Sequence, residues 1–248
     1  GVRTIIEMVQ HTRIDCVVAS SGIMRQGLVQ AIHHADHRET FGKRLLEHPL
    51  MQNVLADLAL EVEAATAMAF RLVQAFQAGG DDPAEAALAR IGTAVGKYYV
   101  CKRAPQTVYE AMECLGGNGY VEEHVLARLY RQAPLNSIWE GSGNVICLDV
   151  LRAMGREPTA LTALRDELVT TVGLDPRYDA FLSELEVELQ DLPTLEFRAR
   201  RLVERLATQR PPAIWGRGGH MRKCSSYAES ARLWKVVDGF CRQRPQPA

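Results

Sequence analysis

Apolar residues recur every three or four positions along most of the chain, the spacing of one face of a helix. Between residues 13 and 37 the repeat runs through Ile14, Val17, Val18, Ile23, Leu28, Ala31 and Ile32 and predicts a long helix that breaks at Phe41-Gly42-Lys43. Pro49 can open a second helix, because its missing N–H costs nothing in a first turn. Leu50, Val54, Leu55, Leu58, Ala59, Val62, Ala65 and Ala69 carry that helix to Gly79-Gly80. Asp82 caps a third helix with Pro83 at its first position. That helix runs to about Leu115, with a kink or interruption expected at Pro105. Residues 116–139 show no sustained period and read as irregular. A fourth helix begins near Ser142 and holds Val145, Ile146, Leu148, Val150 and Leu151. No convincing run alternates with period two, so the chain reads as all-α, with four amphipathic helices in an antiparallel bundle.

Gly155-Arg156-Glu157-Pro158 marks a boundary. Residues 1–155 form the bundle in this reading, and 156–248 a smaller helical domain with an irregular basic C-terminal tail. Helices are expected at 159–171, 177–190 and 195–208. Beyond Gln209, Arg210-Pro211-Pro212 and Gly216-Arg217-Gly218-Gly219 break helix, 226–240 allows one short helix, and 242–248 reads as a disordered tail.

Composition narrows the class. Hydrophobic residues make up 47% of the 248, which supports a packed core. Net charge is -1, yet from Phe197 onward there are 12 Arg and Lys against 3 acids, so a basic end sits on an acidic body. Such an end fits a nucleic-acid contact or a solvated face. The six cysteines form no CxxC pair and no zinc-like spacing, which points to a reducing, cytoplasmic setting. No stretch approaches a membrane span. His33, His34 and His37 lie close together, but no acidic or Cys partner accompanies them, and no metal site is expected.

Three segments go beyond bundle filler: Arg38-Glu39-Thr40-Phe41-Gly42-Lys43, Leu115-Gly116-Gly117-Asn118-Gly119-Tyr120, and Ile138-Trp139-Glu140-Gly141-Ser142-Gly143-Asn144. Singly, a GGNGY is a common helix stop and turn, and a Glu-Gly a common loop acid before a helix. In this order and at these gaps they resemble the C-terminal domain of the acyl-CoA dehydrogenases, over roughly residues 1–154. The stretches from Asn136 to Asn144 and from Cys147 to Arg152, with His11-Thr12-Arg13 and Met112-Glu113, resemble the AidB-type, alkylation-response branch. Residues 159–208 are similar in character to that branch's extra helical domain.

The resemblance implies α,β-dehydrogenation of a short or branched acyl-CoA by a protein that uses FAD. Glu140 matches the base that takes the substrate α proton, and Gly141 the turn beside it. Thr12 stands where some members place the base instead, and it cannot serve. Arg38 matches the arginine on the flavin pyrophosphate, usually across a subunit interface, and Phe41 an aromatic near the flavin, with core packing as its other reading. Gly116, Gly117 and Gly119 match the loop that approaches the dinucleotide. Ser142 and Asn144 face the cofactor in the family, although Ser142-Gly143-Asn144 departs from the commoner T-S-Q, and Pro49 replaces a frequent Gln. Trp139 and Arg13 are expected near the substrate, Arg13 having a buried ion pair as an equal alternative.

An electron-transfer flavoprotein or other acceptor, and a dimer or tetramer of this chain, are the implied partners. The AidB-type likeness implies a second role on double-stranded DNA, for which Arg198, Arg201 and Arg205 share one helix face. Full-length members also have an N-terminal helical domain and a central β domain. This chain, which starts at Gly1 without a Met, is expected to be a piece that binds flavin poorly and turns over no substrate by itself.

Overall fold

The computed structural model describes residues 1–208 apart from 171 and 174; the helix expected at 226–240 and the tail at 242–248 lie outside the described residues. The described residues are helical almost throughout. The first helix, α1 (Val2–His37), starts well before Arg13. Its opening turns leave Ile5 and Met8 exposed, so the apolar repeat that reveals a buried face begins only where packing begins. A two-residue ladder, β1 (Glu39–Thr40) with β2 (Lys43–Arg44), follows it. Phe41 and Gly42 turn this small hairpin with φ of 51° and 81°, the paired positive φ of a tight hairpin turn.

Pro49 begins α2 (Pro49–Ala78) as expected. In α3 (Pro83–Cys114), the Asp82 carboxylate accepts from the N–H of Ala84 at 2.8 Å, the predicted cap. Of the kink or interruption expected at Pro105, the interruption does not occur. Proline removes one backbone bond there, and α3 is the central helix, packed against α1, α2 and five later helices, which keep it continuous.

Helix directions follow from cross-contacts. His11 meets Phe76 and Ser21 meets Thr66, so α1 and α2 are antiparallel. Arg103 pairs with Glu61 and Arg71 with Glu85, so α2 and α3 are antiparallel too. Hence α1 and α3 run parallel, with Ser20 beside Cys101 and Gly27 facing Ala111. The fourth member, α6 (Gly143–Arg156), opposes α3 through Asp149 and Arg90. The architecture is the predicted antiparallel four-helix bundle, with a fourth helix under half the length of the others.

The segment read as irregular is instead mostly helical. It holds α4 (Gly117–Tyr120), α5 (Val125–Gln132) and a 3-10 turn at Leu135–Ser137. One or two turns are too few for a period to show. Past the bundle come α7 (Pro158–Val169), α8 (Pro176–Gln190) and α9 (Ala199–Thr208). Ala160, Leu164, Leu168, Leu202 and Leu206 continue the core formed by Val17, Met24, Leu55, Leu72, Ile91 and Val100. A part-buried fork fastens α7: Arg71 donates to Glu85 at 2.7 and 3.0 Å and to Glu167 at 3.0 and 2.8 Å.

Candidate active site

Glu140 lies in the link between the 3-10 turn and α6, and its backbone is left-handed at φ 57°. For a residue with a β-carbon this conformation costs roughly 1–2 kcal/mol, so something must hold it. Gly141 follows at φ 111°. A β-carbon there would sit 3.0 Å from Ile146 and 3.5 Å from Arg13 Nη2, so glycine is required twice over.

Two buried cations hold the turn. Arg13 of α1 donates from Nε to the Glu140 carbonyl at 3.0 Å. Lys97 of α3 donates from Nζ to the carbonyls of Gly141 at 2.7 Å and Asn136 at 3.1 Å. Arg13 is balanced by Asp149 at 2.6 Å, which also accepts from Arg90 at 3.1 Å. Burial by itself pushes the Asp149 carboxyl up, but the hydrogen bonds and charges of Arg90 and Arg13 outweigh it and leave it below the ordinary carboxylate value. For Lys97, burial pulls the ammonium below the usual lysine range. The Asn136 amide donates to Ser20 Oγ at 3.1 Å, and its oxygen accepts from the Trp139 indole at 3.1 Å. Beneath lie Cys16 and Cys101, both buried; burial pushes the Cys101 thiol up to about 11.

Arg13 therefore makes the buried ion pair of its alternative reading while also sitting against the Glu140 turn. Trp139 is half-exposed, and Ser142 and Asn144 are exposed at the start of α6. Ser142 makes no side-chain cap, so the first amides of α6 keep no side-chain partner at that position. A β-carbon built on Gly143 would lie 3.0 Å from Lys102 Cε and 3.3 Å from Arg200 Nη2, which sets two further basic side chains beside this helix start.

The other two motifs meet at the opposite end of the bundle. Arg38 caps α1 and is exposed, with no ion pair or side-chain hydrogen bond among the described residues. Phe41 is 98% exposed at the hairpin tip, so the core-packing reading fails. It borders a recess of 340 Å³ with Leu45, Leu50, Met51 and Cys114. Because α1 and α3 run parallel, the turn after α3 falls level with the hairpin. His34 of α1 feels the charge of His124, just past that turn. Gly116 adopts φ 60°, ψ -140°, a conformation open essentially to glycine alone. A β-carbon on Gly117 would meet nothing within 4 Å. Gly119 is buried, and a β-carbon there would lie 2.3 Å from the Met112 carbonyl oxygen. Packing on α3 by itself demands a glycine there.

Within one chain the structure does not gather all three motifs. From Arg13, which touches Glu140, to His37 is 24 residues of unbroken helix, or roughly 36 Å at 1.5 Å per residue. Arg38, Phe41 and the glycine turn share one level; Glu140, Gly141, Trp139 and Arg13 share the other. The order of motifs along a sequence carries no record of this separation.

The arginines expected to face DNA are paired with the acids of α8 and with Asp191 just after it. Arg198 contacts Glu188 at 2.9 Å and Asp191 at 3.2 Å, Arg205 contacts Glu188 at 3.0 Å and Glu184 at 3.2 Å, and Arg201 lies 3.5 Å from Glu188. His33 and His37 stack at 4.4 Å between ring centroids. Lys97, Asn136, Asp149 and Arg90 were not singled out by the sequence reading. The available signal for Lys97 was a charge on the buried stripe of α3, in step with Thr93, Cys101 and Ala104.

The description of the acyl-CoA dehydrogenase C-terminal domain matches residues 1–155. The chain belongs to the acyl-CoA dehydrogenase family. Among its relatives, AidB of Escherichia coli (strain K12) is 44% identical over 190 residues, covering 77% of this chain and 35% of AidB. The apo form of Bd2924 superposes with a TM-score of 0.77 at 30% identity, covering 87% of this chain and 42% of that one. ACDH-11 of Caenorhabditis elegans, solved in complex with C11-CoA, gives 0.71 at 25% identity over 98% of this chain and 44% of its own. The chain therefore spans under half the length of each of these relatives.

Proposed function

We propose that the chain is the C-terminal part of a flavin-dependent acyl-CoA dehydrogenase in which Glu140 removes the α proton of a short or branched acyl thioester. The observation that carries this reading is the Glu140 turn itself. A carboxylate is held on a strained left-handed backbone by two buried cations, and Trp139 stands beside it. Strain of this kind persists only where the surroundings fix it, and it collects at working sites. An α proton is weakly acidic, so its removal needs a base placed within hydrogen-bond reach.

The far end of the bundle suits FAD. An unpaired guanidinium matches a pyrophosphate, an exposed aromatic ring matches a flat ring system, and the Gly116-Gly117 backbone allows close approach. Arg38, Phe41, Gly116 and Gly117 would hold the dinucleotide, with Ser142 and Asn144 at the other level; when bound, the flavin supplies the hydride acceptor. Since roughly 36 Å separates the two levels within a chain, a single cofactor would draw Arg38 and the glycine turn from one copy and Glu140 from another. This supports a homo-oligomer, with an electron-transfer flavoprotein or other acceptor taking the electrons.

Glu140→Gln in the full-length protein is the test. Turnover of an acyl-CoA such as isovaleryl-CoA is expected to fall by about 10²–10⁴-fold with substrate binding kept. Wild-type turnover would remove Glu140 from the mechanism. The alternative, an AidB-like protein acting on duplex DNA with little turnover, has less support, because Arg198, Arg201 and Arg205 each lie against a carboxylate of Glu184, Glu188 or Asp191. A salt-dependent gel shift, weakened by Arg201→Ala with Arg205→Ala, would revive it.

A further inference from the structure

The geometry points to Lys97 as a positioning residue for Glu140, an inference that rests on the reading of Glu140 as the base. Lys97 is 2% exposed and heads the fully buried side chains by volume. Among the described residues its ammonium has no ion-pair partner; its hydrogen bonds go to two main-chain carbonyls, Asn136 and Gly141. A buried ammonium without a carboxylate is costly, so its retention calls for a reason beyond filling space.

The two carbonyls supply that reason, because they bracket Glu140. Gly141 is the next residue, and its carbonyl fixes the exit of the turn. Asn136 fixes the entry, and through its side chain it also holds Ser20 of α1 and the Trp139 indole. One ammonium thus ties both ends of the turn to the rigid middle of α3, while Arg13 holds the Glu140 carbonyl from α1. Lys97 does not replace Glu140 in proton transfer. It sets where the carboxylate stands and keeps a positive charge beneath it.

The turn also roofs Cys16, whose thiol lies near both the Trp139 indole and Lys97. This gives a readout separate from catalysis. In the full-length protein, Lys97→Met keeps the volume and removes the charge and donors; Lys97→Gln keeps two N–H donors. The rate of iodoacetamide labelling at each cysteine, followed by peptide mass spectrometry, is measured beside kcat and KM for isovaleryl-CoA.

Lys97→Met is expected to label Cys16 and Cys101 about tenfold faster through local opening. It should do so although loss of the nearby cation raises the thiol pKa, which alone would slow the reaction. Its kcat should fall about 100-fold with KM within about twofold, and Lys97→Gln should restore protection and most of kcat. Wild-type labelling and kcat in Lys97→Met would overturn the inference. So would equal unmasking of Cys114 and Cys147, the mark of a merely structural lysine. Glu140→Gln separates the two readings. Inactive Glu140→Gln with a wild-type Lys97→Met defeats the positioning role alone. Active Glu140→Gln defeats the base, and the positioning role with it.

Discussion

Arg13 and Glu140 lie 127 positions apart in sequence, yet the guanidinium of one donates to the main-chain carbonyl of the other at 3.0 Å. The bond is to the backbone, so the carboxylate of Glu140 is left for other work while its peptide is fixed. Behind Arg13, the shared Asp149 connects α1, α3 and α6 at this one level.

Breaking this network is expected to be expensive. Arg13→Met leaves Asp149 buried with one fewer cation and the Glu140 carbonyl without its donor, a loss of about 3 kcal/mol. Urea denaturation measures it. The double variant Arg13→Met with Asp149→Leu should recover part of the loss, because it removes the stranded charge as well.

Asp149 also makes a pH signature. A carboxyl depressed on folding contributes stability above its ordinary value of 3.8 and loses it as the pH falls through the lower folded value. The urea midpoint is therefore expected to decline below pH 4, and Asp149→Asn should be less stable at neutral pH with a shallower decline. Parallel curves for the two proteins would contradict this.

The glycine turn after α3 separates packing from openness. Gly119→Ala puts a methyl 2.3 Å from the Met112 carbonyl oxygen and should cost about 1–3 kcal/mol. Gly117→Ala meets open space and should change stability by less than about 0.5 kcal/mol. Thermal melts of the two variants decide between a packing and a backbone demand.

Glu140 carries its own cost. Asn tolerates a left-handed backbone better than Glu, so Glu140→Asn is expected to gain up to about 1 kcal/mol, or roughly 2–4 °C in Tm, while removing the carboxylate. Calorimetry of this variant, set against its turnover, shows whether function is held at the expense of stability.

Much of this was legible in the chain. The long helices announce themselves because Leu55, Leu58, Val62 and Leu72 must return to one face, and Asp82-Pro83 states where α3 begins. The first turns of α1 were missed because Ile5 and Met8 stay more than half exposed, and α4 and α5 because each is too short to repeat. Lys97 was hidden by the ordinary expectation that a lysine is solvated. Its acceptors are carbonyls 39 and 44 residues away, which no local pattern encodes. Glu140 was found through its motif, but the left-handed backbone and the buried cations that maintain it emerge only in three dimensions.

The uninterrupted run of α1 between Arg13 and His37 works as a ruler. Deleting one residue from it would rotate everything beyond by about 100° and draw it in by 1.5 Å, whereas removing seven would nearly preserve the facing side chains while shortening the span by about 10 Å. Related chains that differ in this stretch should therefore tolerate changes in steps of whole turns, and only where α3 is shortened to match.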